Sequence, residues 1–196
     1  MAIATVYPFR QALTIALQSV IATVIVPALN ASLAAQFAAE RVPAARWVSF
    51  GPDQVRVGDV VEASDPVICI CGGRFDNEMI GTRTFAAVFL TDIVLKLASA
   101  ADNAPEDFEL VQGAFVDAML DGLTAGDSAY NLNPNLAGGL IKPLPSGSVF
   151  RDCFPVSGDV LEPDRLPDGV TVVRKCSVTH SATISFALDR PAALGE

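Results

Sequence analysis

A chain of 196 residues, 51% of them hydrophobic, can bury a substantial core, so it reads as one folded domain and not as a disordered chain. Thirteen basic residues against twenty-two acidic ones give a net charge of −9, which argues against a surface built to grip phosphate backbones. Four scattered cysteines are too few for a disulfide framework at this length, and a reducing compartment is the default.

Residues 12–29 are almost continuously apolar, and Ala-Ser-Leu-Ala-Ala at 31–35 imitates a signal-peptidase site, so a secretory signal is the first comparison to make. Against it, Arg10 is the only early positive charge, and Gln11, Thr14, Gln18, Ser19 and Thr23 interrupt the run. The length would also suit a membrane span, or a helix buried between subunits. Leu13, Leu17, Val20, Ile21, Val24 and Ile25 recur at helical spacing opposite Gln11, Thr14 and Gln18, which favours an amphipathic core helix and no membrane. Pro27 should kink or end that helix. A second helical piece then continues to about residue 40, giving a helical segment over 8–40. Asn30-Ala31-Ser32 matches a glycosylation sequon, but a helix in a reducing compartment is the wrong setting for one.

From Trp47 onward the pattern turns to strands. Residues 47–50 and 55–61 are short candidates separated by Gly51-Pro52-Asp53, and Pro66 opens the apolar run Val67–Cys71. Cys69 and Cys71 would point to the same face of that strand; two apart is poor chelate spacing, so buried reduced thiols are the main reading, with redox or metal roles as the alternative. Gly72-Gly73 and Asp76-Asn77 read as turn residues, which makes an antiparallel hairpin of Val67–Cys71 with a long arm over 82–97.

The hydrophobic period then changes. Phe85, Ala87, Phe89, Ile93, Leu95 and Leu97 alternate with Thr84, Asp92 and Lys96, as in a long strand covered on one face. After Ser99 the period becomes helical: Asn103 is a candidate cap, Pro105, Glu106 and Asp107 suit a first turn, and Phe108, Val111, Phe115, Ala118 and Met119 form a stripe. Gly122 fits a C-terminal cap. Residues 124–148, rich in glycine, proline and asparagine, read as a long loop. Its Tyr130, Leu132, Leu136, Leu140 and Ile141 are too apolar for a solvated linker, so the loop either offers a contact surface or covers the domain's own core. The chain closes with a strand over 149–156, a bend through Pro163 and Pro167, and a strand over 170–188. There Val178, His180, Ala182, Ile184, Phe186 and Leu188 alternate with Thr179, Ser181, Thr183 and Ser185, leaving one wet face.

Chemistry is thin in this inventory. His180 is the single histidine, it lies within the last strand, and no serine sits in a nucleophile-elbow sequence. The carboxylates are dispersed, and Gly138-Gly139-Leu140-Ile141-Lys142-Pro143 lacks both Walker spacing and a following Ser or Thr. Asp152, Asp159, Glu162, Asp164 and Asp168 form a mildly acidic tract of the kind that usually faces solvent. No enzyme, no cofactor and no metal is expected; a catalytic site assembled only in three dimensions would show itself as a deep pocket with perturbed carboxylates.

These elements make an α+β domain over 1–196: an antiparallel or mixed sheet with a long β-hairpin, packed by an N-terminal helix and a central helix. In that order the chain resembles the tail-terminator proteins of long-tailed bacteriophages. Gly81-Thr82-Arg83-Thr84-Phe85-Ala86-Ala87-Val88-Phe89-Leu90-Thr91-Asp92-Ile93-Val94-Leu95-Lys96 looks like that family's long central strand, Pro105–Leu123 like the helix after it, and residues 177–188 like its final strand. The resemblance is one of pattern; the family has no short motif.

The resemblance implies a virion protein, assembled in the host cytoplasm, that forms a homo-hexameric ring capping the tail tube and joining it to the neck. Its partners would be the tail tube protein and a neck or connector protein, with DNA passing through the lumen without specific binding. The acidic charge suits such a channel. Tyr130, Leu132, Asn133, Asn135, Leu136 and Lys142 are the expected interface residues. The apolar N-terminal helix and the long loop depart from compact members of the family, and keep a neighbouring neck connector or tail-completion subunit as the alternative.

Overall fold

The first helix does not stop at Pro27. In the computed structural model, which describes residues 7–59, 66–72, 74–81, 84–100, 105–123, 148–168 and 170–187, helix α1 (Tyr7–Val20) passes through one π-helical turn, Ile21–Ile25, into helix α2 (Val26–Ala39). The Val26 N–H reaches back five residues to the Ile21 carbonyl. That wider turn lies immediately before Pro27, where a regular helix would lose a hydrogen bond and press the proline ring on a carbonyl. The expected break is thus replaced by a local change of helical pitch.

Leu13, Leu17, Val20, Ile21 and Ile25 are buried as their spacing predicts, and the stripe continues through Leu29, Leu33 and Phe37. Arg10–Ala39 is long and apolar enough to cross a membrane by length and composition, but here its stripe forms part of the protein core. Gln18 is not on a wet side: its Nε2 donates to the Val55 carbonyl at 3.2 Å. Past the helix end, after the capping residue Glu40, Arg41 is a non-glycine residue at φ 55°. The Val42 N–H returns to the Phe37 carbonyl and the Arg41 N–H to that of Ala38, the paired bonds of a Schellman cap.

Residues 47–50 form no strand, contrary to expectation. The Asn30 Nδ2 donates to the Phe50 carbonyl at 2.8 Å, and the Phe50 N–H donates to Asn30 Oδ1 at 2.9 Å. A side chain on α2 thus takes the backbone bonds at Phe50 that a neighbouring strand would supply. Within the described residues the expected strand 55–61 is only β1 (Val55–Val57), ended by Gly58 at φ 94°; residues 60–65 lie outside the description.

The hairpin differs from expectation in its connection. β2 (Val67–Cys71) and β3 (Phe75–Gly81) lie along the same side of β4 (Thr84–Ala100), opposite 92–96 and 84–89 respectively. Asp76 and Asn77, read as turn residues, are therefore strand residues, and the turn falls between β3 and β4. Pairing with a 17-residue neighbour overrides their weak strand propensity. β4 runs the full length of β6 (Thr171–Ala187), which pairs in turn with β5 (Ser148–Arg165). β5 also passes straight through Pro163, so the bend is confined to the residues between Arg165 and Thr171. Proline is compatible with β5 because the strand is at the sheet's edge and its register shifts at three places, two of them beside or spanning Pro155 and Pro163.

The result is an α+β fold with a mixed sheet of order β1-β2-β4-β6-β5, β3 lying beside β4. α1 covers β1 and β2, helix α3 (Pro105–Leu123) rests on β5 and β6, and α2 packs on α3. Gly122 lies within α3, which continues to Leu123, so it is not the cap. The expected cap Asn103 is outside the described residues. Phe89, Ile93 and Leu95 share one core cluster with Phe108, Val111, Phe115 and Met119.

Candidate functional site

The expected interface residues Tyr130, Leu132, Asn133, Asn135, Leu136 and Lys142 all fall in 124–147, outside the described residues. What the described residues do offer is distributed over two faces and two edges of the sheet.

On the helix-covered face His180 is fully buried, and neither ring nitrogen has a hydrogen-bond partner among the described residues. Burial pushes its pKa down to about 4, so the ring is neutral near pH 7. Among the described residues no hydroxyl, thiol or carboxylate is bonded to it, as a nucleophile–base pair would require. Cys176, on the same strand, is held as a thiol by burial that raises its pKa to about 12. The period-two pattern had placed His180 on the apolar face; that it would stay unpartnered there was not readable.

The other face is less wet than its polar residues suggest. Val67, Cys69 and Val94 form a second apolar cluster with Cys71 and Leu161, and Ser181 and Ser185 are buried. Lys96, expected on the solvent side, is only 5% exposed. Its Nζ reaches Asp59 Oδ1 at 2.6 Å, so the charge is paired at the rim of the cluster. Thr179 donates to Asp92 Oδ1 at 2.7 Å across the β4–β6 ladder. All four cysteines are free thiols, and burial, followed by the charge of Asp59, raises the pKa of Cys71. Among the described residues no group of three or more His, Cys, Asp or Glu side chains is placed to hold a metal.

Two of the open clefts are lined by described residues. One, of about 370 Å³, lies between Arg10, Gln11 and Thr14 of α1 and Val57, Ile70, Cys71, Gly72 and Thr91 of the sheet. The other, of about 490 Å³, lies where α2 meets α3 and includes Arg46, whose guanidinium pairs with Asp107 at 2.6 Å.

The edges carry what the sequence analysis missed. Phe154, Val156 and Val160 of β5 are 42%, 46% and 63% exposed, beside the exposed Asp159 and Glu162. On the far edge Val57 of β1 is 55% exposed, next to Arg56. A signal was present in Phe154-Pro155-Val156 and Asp159-Val160, where apolar residues stand among prolines and acids. Only the strand order shows that they lie on a rim.

No family model and no curated protein matches this chain. A solved structure of the virion of a native gene transfer agent (GTA) particle contains a chain similar to it at TM-score 0.40 and 14% identity, over 83% of this chain and 98% of that one. A likeness of that depth carries no assignment of function.

Proposed function

We propose that this chain is a structural protein of a phage-like virion, and within that class the ring-forming tail terminator that caps the tail tube and joins it to the neck. The observation that carries the reading is the coincidence of the three resembling segments with β4, α3 and β6: a 17-residue interior strand, its following helix and the neighbouring strand of one sheet. The net charge of −9 supports a lumen through which DNA slides without sticking. In this reading the role is mechanical and not enzymatic, and the expected loop residues from Tyr130 to Lys142 dock the neighbouring tube or neck ring. The 30-residue helical run from Arg10 to Ala39, whose single charged residue is Arg10, favours a second reading, a neck connector or tail-completion subunit.

Electron microscopy of particles made without this chain tests the two. Tubes of unregulated length are the expected result for a terminator, since nothing would stop polymerisation. Tails of normal length that fail to join heads would support the second reading. Wild-type particles would reject both. Removing residues 128–140 should leave the fold intact and abolish joining; normal joining would exclude the loop as the docking surface.

A further inference from the structure

The cleft between α1 and the sheet lies over a break in the strand pairing. β2 pairs with β4 as far as Cys71 opposite Asp92, and β3 takes over at Phe75 opposite Phe89, so Leu90 and Thr91 stand where one partner strand has ended and the next has not begun. By the alternation of the strand, Thr91 shares the helix-covered face with Phe89 and Ile93, and it lines the cleft. It is 7% exposed, and its hydroxyl makes no hydrogen bond among the described residues. Directly opposite it on β6 is His180, whose ring nitrogens also lack partners there. Buried polar groups are as a rule satisfied, so two adjacent unsatisfied ones, one of them at the floor of an open cleft, call for a polar atom supplied from outside the fold.

The walls set the rest of the ligand. Val57 and Ile70 are apolar, and α1 supplies Arg10, Gln11 and Thr14. The Thr14 hydroxyl donates to the Arg10 carbonyl, so it offers the cleft only lone pairs. Arg10 is the one charged residue among the described residues that line the cleft. Its Nη2 lies 3.0 Å from where a Cβ on Gly72 would sit, so the guanidinium reaches from the helix to the end of β2. A guanidinium has five N–H donors in a planar fork and can hold a carboxylate while keeping other contacts. Asp59 and Asp92, the carboxylates that act on the Cys71 thiol, are not among these lining residues and are engaged by Lys96 and Thr179. At about 370 Å³ the cleft is at the small end of the range for small-molecule sites.

We propose that this cleft binds a small aliphatic carboxylate, with the Arg10 guanidinium and the Thr91 hydroxyl on the carboxylate and Val57 and Ile70 against the apolar chain. One arginine and one hydroxyl suit a monoanion better than a phosphate, which draws on more donors and more positive charge. The site is independent of the virion role and of any ring.

The test titrates the full chain with sodium octanoate, 1-octanol and inorganic phosphate by calorimetry, with thermal melts alongside. Octanoate should bind one to one and raise the melting midpoint with concentration, octanol should bind about tenfold more weakly, and phosphate should not compete. Arg10→Gln should weaken octanoate about tenfold and leave octanol unchanged. Thr91→Val keeps the shape without the hydroxyl and should weaken octanoate about threefold. Because it removes an unpartnered hydroxyl, its own melt should not fall, which separates lost binding from lost fold. Gly72→Ala, whose Cβ presses on the guanidinium, should weaken octanoate as well, whereas Arg46→Gln in the other cleft should not. Absence of saturable octanoate binding at millimolar concentration, equal affinity for octanol, competition by phosphate, or octanoate affinity indifferent to both Arg10→Gln and Thr91→Val would each overturn the proposal.

Discussion

The same strands face two different environments in this molecule, and the contrast shows what each side of a sheet tolerates. Under the helices, side chains such as Ile93, Leu95 and Phe115 are fully buried, and His180 stays neutral there without a hydrogen-bond partner among the described residues. On the other side the buried ammonium of Lys96 has a partner in Asp59, while Thr179 holds the exposed Asp92. A neutral polar group costs little enough to be carried by a large apolar core, whereas an ammonium needs an opposite charge within reach.

The largest break in that contrast should come from the helix side. Phe115→Ala should cost about 3 to 5 kcal/mol, because α3 cannot collapse into the space against β5 and β6. A urea titration showing a cost below about 1 kcal/mol would mean that the helix side is not the packed one. Acid should separate the faces next. The folded pKa of His180, about 4, is below its ordinary 6.5, so the unfolded chain binds the proton first. The stability this group contributes is complete above pH 6.5 and is lost as pH falls towards 4, on the order of 3 kcal/mol in all. His180→Leu should therefore flatten the fall in stability over that window relative to wild type. Parallel curves for the two proteins would place the histidine in contact with water.

Smaller effects sharpen the picture. Asn30→Ala removes both bonds to Phe50 and leaves its backbone groups unpaired, so a loss of about 2 kcal/mol is expected by thermal unfolding. An unchanged midpoint would show that water replaces the amide. The smallest change has the opposite sign: Arg41→Gly relieves a left-handed backbone at the Schellman position and should stabilise by up to about 1 kcal/mol. Any loss of stability there would mean that the Arg41 side chain contributes more than its backbone costs.

Periodicity determined a good part of this protein. The alternation from Ala87 to Leu97, the stripe from Phe108 to Met119 and the helical spacing from Leu13 to Ile25 each require one covered face, and local geometry alone decides which residues share it. Those three patterns were enough for an α+β fold with two packing helices. They were silent wherever a distant partner rewrote a local preference. A π turn carried the helix past Pro27, an amide from α2 took the backbone of Phe50 out of strand pairing, and β4 drew Asp76 and Asn77 into a strand. The exposed apolar residues of β5 belong with them. Its residues look like any half-buried strand in sequence, and only the order β1-β2-β4-β6-β5 makes that strand a rim, because strand order is set by long-range pairing that no local window contains.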